Sequence, residues 1–311
     1  DIVDYGMWGW ALSRFSGCWV GLKSVHDTVE ASASISVATD RLQIENPQDF
    51  VMPSGGLNIR RPDPFLEQER RLHDDKLSAV AAFARNNPLD RRVLGEAGAR
   101  IGIVTTGKSY LDVQRALLEL GIDDAECHRL GVSLYKVGMP WPLEVTGFVD
   151  FADGLEQIIV VEEKRGLLEE QIKSILYGRA DSPLVVGKKR ETGEVLFPST
   201  GRLEAAQIAQ VLGQRLLAQA HDVVLSQRLA RLETLLTAGD DQPPAMTRTP
   251  YFCAGCPHNS STVVPQGSRA LAGIGCHFMA QWMDRNTAGF TQMGGEGAGW
   301  LGESHFSKTG H

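Results

Sequence analysis

Basic runs, long apolar stretches, internal repeats and cysteine-rich spacing are all missing from this chain, and each absence closes off a class of protein. Its 31 Lys and Arg are outnumbered by 38 Asp and Glu, for a formal net charge of -7. Nucleic acid and anionic membrane surfaces are therefore poor partners. No apolar run reaches the ~18 residues that a membrane helix needs, and the first residues lack the charged-then-apolar order of a secretory signal. The expected location is the cytoplasm. The five cysteines (Cys18, Cys127, Cys253, Cys256 and Cys276) are too few and odd in number for a disulfide framework in 311 residues, and reduced thiols are expected. There is no G-x-G-x-x-G, no P-loop Lys-Ser/Thr pair and no four-cysteine cluster run.

What is present begins with ordinary globular composition: 42% hydrophobic residues over 311 positions suggest roughly two domains. The chain opens with "DIVDYGMWGW" and closes with "SHFSKTGH", from which an internal piece of a larger polypeptide is expected. Residues 1–40 mix aromatics and small residues without the charged outer face of a free surface helix, so this segment needs a covering partner. Residues 41–94 start with Pro and Gly punctuation and become charged, a connection leading into a helix at about 65–85.

From residue 95 to 190 the pattern alternates. "RIGIVTTG", "LGVSLYKV" and "EQIIVVEE" are strand-like apolar runs, whereas "KSYLDVQRALLELG", "FVDFADGL" and "GLLEEQIKSILYG" have helical spacing. That order predicts an α/β fold with a parallel sheet and right-handed crossovers. A helix-rich stretch over 191–245 ends in the Pro-rich "TAGDDQPPAMTRTP", and a further unit starts at 246 and runs to 311. "VTTG" ahead of a helix could hold a phosphate, but without a phosphate-binding motif the plain reading is scaffold. Glu162 and Glu163 at a strand end read as solvated or ion-paired carboxylates rather than an acid pair.

The chemistry is concentrated in the last unit. "YFCAGCPHNSST" packs two thiols and an imidazole together, and three readings are open for it: a metal clamp, a redox pair, or a loop lining a cofactor. Cys253 and Cys256 have the spacing of a zinc half-site, with Cys276 and His277 of "GIGCHF", or His258, able to complete it. A thioredoxin-like redox pair would sit at a strand-to-helix junction, whereas here a Pro-rich linker precedes it. Haem attachment is excluded because Pro257 separates Cys256 from His258. "TQMGGEGAGWLG" adds Gly294, Gly295, Gly297 and Gly299 around Glu296. Three loops rich in small residues within a short span suit a cofactor cavity.

Read in order, "FCAGCPHNSST", "GIGCHFMAQWMDR" and "MGGEGAGWLGESHF" resemble the opening of the thiamine diphosphate-binding domain of the indolepyruvate ferredoxin oxidoreductases in their long fused bacterial form. These belong to the 2-oxoacid:ferredoxin oxidoreductases. "DYGMWGWALSRFSGCWVGLKSVHDTVE" resembles the end of that family's pyrimidine-binding domain. "IGIVTTGKSYLDVQRALLELG" and "IIVVEEKRGLLEEQIKSILYG" resemble its transketolase C-terminal-like domain.

The resemblance implies a parallel-sheet transketolase C-terminal-like domain flanked by partial thiamine diphosphate-fold domains. It also implies oxidative decarboxylation of a 2-oxoacid to an acyl-coenzyme A, with electrons passed to ferredoxin. Pyruvate and 2-oxoglutarate are alternative substrates within the wider family, and Trp282, Trp300, Phe278 and Phe290 are candidates for an arylpyruvate pocket. By motif position, Cys253, Gly255, Cys256 and His258 would form one wall beside the cofactor. Gly275, Cys276 and His277 would form a second wall, and Gly294, Gly295, Glu296 and Gly297 a third. Magnesium ligands are expected downstream of His311, the activating carboxylate upstream of Asp1, and iron–sulfur clusters elsewhere in the full enzyme. The chain alone is expected to be inactive, and a homo-oligomer is expected. The catalytic residues stay unassigned.

Overall fold

Three consecutive apolar runs, too short for helices, pair side by side at the centre of one sheet. In the computed structural model, which describes residues 2–35, 38, 40, 42–219, 221–240 and 248–308, these are β2 (Ile101–Thr106), β3 (Val132–Val137) and β4 (Gln157–Val161). They are buried over almost their whole lengths, as strands covered on both faces must be. With β1 (Arg91–Leu94) and β5 (Leu184–Val186) they make a five-stranded sheet of order β1-β3-β2-β4-β5. All pairs are parallel except β1 with β3. Ile103 stands at the centre, registered with Leu134 on one side and Ile159 on the other.

The expected parallel α/β fold is therefore present, with an antiparallel edge strand added. The two-residue period of β4 sends Ile159 and Val161 into one core and Ile158 and Val160 into the other. The first core lies beneath α5 (Gly107–Leu120) and α6 (Asp124–Leu130); the second lies beneath α7 (Val145–Ala152) and α8 (Leu167–Leu176).

The helix-rich stretch 191–245 is not free of the sheet. It contains α9 (Ala205–Gln219) and α10 (Val223–Asp240), whose Ile208, Leu212, Leu216, Leu225 and Leu229 are buried in the first core. The α/β body thus runs from β1 into α10, wider at both ends than 95–190. Residues 241–247 of the Pro-rich stretch lie outside the described residues.

Ahead of the sheet, α1 (Ile2–Ser16) is followed by a single turn, α2 (His26–Val29), and a long irregular connection. The helix expected at 65–85 is built in three parts: α3 (Phe65–Arg70), a π-helical turn over Arg71–Lys76, and α4 (Leu77–Asn86). Arg71 in the π-turn is buried, and its guanidinium donates to the carbonyls of Gly56 (2.6 Å) and Asn58 (3.3 Å), pinning the connection to the helix. Trp8 and Leu12 of α1 pack on Val80, Phe83 and Ala84 of α4.

The chain divides into two compact units, Asp1–Gly239 and Asp240–His311. The second contains α11 (His258–Ser261), β6 (Ala270–Ala272), a 3-10 helix over Cys276–Trp282, β7 (Thr287–Phe290) and α12 (Ala298–Glu303). Its two strands pair in parallel.

Candidate functional site

In the second unit a hydrogen-bonded turn comes first. The Cys256 amide donates to the Cys253 carbonyl (3.0 Å), and Gly255 takes φ 76° at the turn's third position, where a side chain would be strained. The Asn259 amide group donates to the same carbonyl (3.0 Å), so two bonds converge on the first residue of the turn. The chain then enters α11, and His258 turns back until its Nδ1 lies 3.2 Å from the Cys256 sulfur. Cys253 is exposed and Cys256 half-buried.

The second loop leaves β6 at Gly273. Gly275 has φ 152° and ψ -172°, a conformation suited to glycine, and it redirects the chain into the 3-10 helix that carries Cys276 and His277. The Gly273 amide donates to Nε2 of His277 (2.9 Å), which places that imidazole's proton on Nδ1 when the ring is neutral. The His277 ring stacks on His258 with centroids 5.8 Å apart and planes 19° apart, and the buried Phe252 ring lies 5.3 Å from His258, tilted by 31°.

The third loop lies between β7 and α12. Glu296 accepts from the Gly294 amide (2.8 Å), and its carboxylate sits against Gly273, where a Cβ would collide with it. Beside Gly294 and Gly297 the space is open.

The three loops identified in the sequence are therefore brought together. The His258–His277 stack joins the first to the second, and the Glu296–Gly273 contact joins the second to the third. Neither contact was visible in the sequence, because each joins residues far apart in the chain. Phe278 meets Trp282 (5.1 Å) and Phe290 (4.8 Å) edge to face, a small aromatic cluster with Trp282 and Phe290 largely exposed. Trp300 is on α12 instead.

The zinc clamp is not assembled: among the described residues no three His, Cys, Asp or Glu side chains converge as metal ligands. Cys256 is engaged by an imidazole, and Glu296 is turned onto its own loop's backbone. The arrangement combines open space beside Gly255, Gly294 and Gly297 with two stacked imidazoles, which is compatible with an organic group approaching the backbone. It does not fit a magnesium cage, which needs several convergent oxygens.

In the first unit, the carboxyl ends of β2 and β4 are filled by structural contacts. The Thr106 hydroxyl donates to the Val137 carbonyl (2.8 Å), and Lys108 pairs with Asp112 (2.8 Å) and Glu163 (3.5 Å). Glu162 is buried, not solvated: its carboxylate accepts from the amides of Leu168 (2.9 Å) and Glu169 (3.0 Å) and so caps α8. The first unit also has an open cleft of ≈ 1660 Å³ whose walls include Trp8, Trp19, Arg60, Arg61 and Trp141. The aromatic-rich opening of the chain, read in the sequence as needing a covering partner, contributes Trp8 and Trp19 to its wall.

Comparison with known proteins adds a second line of observation. Residues 91–239 match the model of the indolepyruvate oxidoreductase domain. Subunit IorA of indolepyruvate oxidoreductase from Thermococcus kodakarensis is 27% identical over 216 residues, covering 67% of this chain and 30% of that protein. The corresponding subunit from Pyrococcus abyssi is 26% identical over 195 residues, covering 62% of this chain and 27% of that protein. The subunit from Methanothermobacter marburgensis is 22% identical over 216 residues, covering 70% and 29%. The chain thus spans less than a third of the length of these relatives. A solved 2-oxoglutarate:ferredoxin oxidoreductase from Magnetococcus marinus, with 2-oxoglutarate, coenzyme A and succinyl-CoA bound, aligns at 17% identity and a TM-score of 0.35, covering 54% of this chain and 26% of that one. That overlap is too slight to bear on fold or function.

Proposed function

We propose that this chain, which is related to the indolepyruvate ferredoxin oxidoreductases, serves as part of a thiamine diphosphate-dependent 2-oxoacid oxidoreductase acting on indolepyruvate. In that reading the product is an acyl-coenzyme A and the electrons go by way of iron–sulfur clusters to ferredoxin. On the same reading the second unit supplies one side of the cofactor cavity. The observation that carries the reading is the convergence of the three loops through the His258–His277 stack and the Glu296–Gly273 contact.

Thiamine diphosphate, when bound, would supply the electron sink for loss of carbon dioxide from a 2-oxoacid. The residues of this chain do the holding. Gly255, Gly294 and Gly297 leave room for close backbone approach, and Gly275, Gly295, Cys253 and Cys276 belong to the same three loops. If the Cys256 thiol donates to Nδ1 of His258, that ring's proton sits on Nε2; His277 carries its own on Nδ1. Two stacked imidazoles then each present an N–H donor, which suits a diphosphate or a 2-oxoacid carboxylate. The magnesium ligands come from residues other than these loops.

The test is to assay the polypeptide that carries this chain, supplied with thiamine diphosphate and magnesium, for ferredoxin reduction. Indolepyruvate, pyruvate and 2-oxoglutarate are offered in turn, with and without coenzyme A. Coenzyme A-dependent reduction that is fastest with indolepyruvate is expected. Preference for either other substrate would correct the specificity, and no reduction with any 2-oxoacid would overturn the reading.

A further inference from the structure

The open cleft of ≈ 1660 Å³ lies wholly in the first unit, outside the loops given to the cofactor. Its apolar wall comes from Trp8 on α1, Trp19 just beyond it, Phe65 and Leu66 on α3, and Trp141 in the segment after β3. Trp19 is fully exposed and Phe65 and Leu66 are largely so. Gly17, with φ 67°, lets the chain pass so close to the Leu57 carbonyl that a Cβ would collide with it. That crossing sets the segment after α1 beside the connection that carries Arg60 and Arg61.

Charge is spread unevenly over the same cleft. Its lining holds four permanent cations, Arg60, Arg61, Arg71 and Lys76, and one carboxylate, Glu69, in a chain whose formal net charge is -7. Lys76 donates to the Gly17 carbonyl (3.1 Å), and Arg71 to the carbonyls of Gly56 and Asn58, contacts that fix a cation in place without cancelling its charge. Asp63 is shared between Arg60 (2.7 Å) and Arg71 (3.4 Å). Glu67 stands 3.9 Å from Arg60 but 2.9 Å from Arg70, which lies outside the lining. Arg61 has no carboxylate partner among the described residues. The cleft thus joins bare apolar surface to an excess of positive charge. A purely apolar occupant would strip water from that charge without pairing it, and a compact anion would leave the apolar wall wet.

We propose that this cleft binds one amphipathic organic anion, its acid group at Arg61 and its apolar body along Trp19, Phe65 and Leu66. A guanidinium offers an acid group a planar, two-pronged set of donors, and the aromatic side chains offer large contact area. The volume exceeds the ~300–1,000 Å³ of common ligand pockets, so an extended body suits it better than a compact one. Because the surface is concave, it takes a single molecule rather than the plane of a membrane. The proposal goes beyond the cofactor reading and stands without it, since every residue involved belongs to the first unit.

The experiment titrates the full chain by isothermal calorimetry, at a concentration where light scattering gives a single mass. The probes are decanoate and the uncharged decanoyl-N-methylglucamide, each below its micelle concentration. Decanoate should bind once per chain and more tightly than the uncharged amphiphile, and rising salt should weaken it. Arg61→Gln should weaken decanoate about fivefold and leave the uncharged probe unchanged. Trp19→Ala, at a fully exposed position, should weaken both. Decanoate that binds no tighter than the uncharged probe, uptake that does not saturate at one per chain, equal losses of both probes in Arg61→Gln, or no effect of Trp19→Ala would each overturn the proposal. If decanoate does not bind and Trp19→Ala abolishes self-association, a second copy of the chain covers the cleft and the proposal fails.

Discussion

Asp90 lies between α4 and β1, and its Oδ1 accepts from the amides of Gly138 (2.7 Å) and Met139 (3.0 Å). Burial outweighs those bonds and raises its pKa from 3.8 to about 6. Since the folded carboxyl holds its proton more tightly than the unfolded one, its contribution to stability is fully present below about pH 4 and declines as pH rises to about 6. Asp90→Asn keeps an acceptor for both amides and has nothing to titrate. The wild-type minus variant difference in urea-unfolding free energy should therefore fall across that window, and a flat difference would contradict the assignment. A second residue-scale prediction concerns Gly102 in β2. A Cβ there would stand 2.6 Å from Leu155 Cδ1 and 3.0 Å from the Phe151 ring. Gly102→Ala should cost about 1–3 kcal/mol, read as a lower denaturation midpoint, because α7 would have to lift from the sheet.

At the scale of elements, α8 begins at Gly166, which has no side chain to cap it, and Glu162 from the end of β4 reaches forward to do so. Glu162→Ala should lower stability by about 1–2 kcal/mol, with Glu162→Gln recovering part of the loss because an acceptor remains. Equal losses for the two variants would mean that the charge, not the cap, matters. This contact also shows where sequence reading stops. Strands β2, β3 and β4 and helices α5 and α8 were legible because their own residues carry an apolar run or a helical period. Strand β1 was not, since "RRVL" is short and charged and takes its place only by pairing with β3. Helix α6 is polar over most of its length, yet Asp123 accepting from the Glu126 amide and Gly131 at its C-terminus are start and stop signals that could have been read. In the second unit each loop was recognisable by its small residues. The contacts that join the loops were not, because they depend on the three-dimensional path between them.

At the scale of the whole molecule the two units differ in how much core they own. The first has two apolar clusters against the faces of its sheet and a third between α1 and α4. Among the described residues of the second, only Phe252, Ala272 and Ala280 are buried apolar side chains. So small a core supports little independent stability. Hydrogen exchange should therefore exchange the amides of 248–308 well before those of β2, β3 and β4, and equal protection would refute the difference. In the first unit Trp19 is fully exposed, and Met7, Trp10 and Leu22 are largely so. Exposed apolar surface of this kind should drive the isolated chain to self-associate, giving a light-scattering mass that rises with concentration; a constant monomer mass would contradict it. The antiparallel edge of the sheet has a further consequence, for synthesis. Arg91 is synthesised before Val132, so β1 must wait with its backbone donors and acceptors unpaired by its sheet neighbour until β3 exists. Arg91 and Arg92 keep that waiting edge charged, which discourages pairing with a neighbouring nascent chain. The strand that closes one side of the sheet is the first to be made and cannot be seated until its partner has followed.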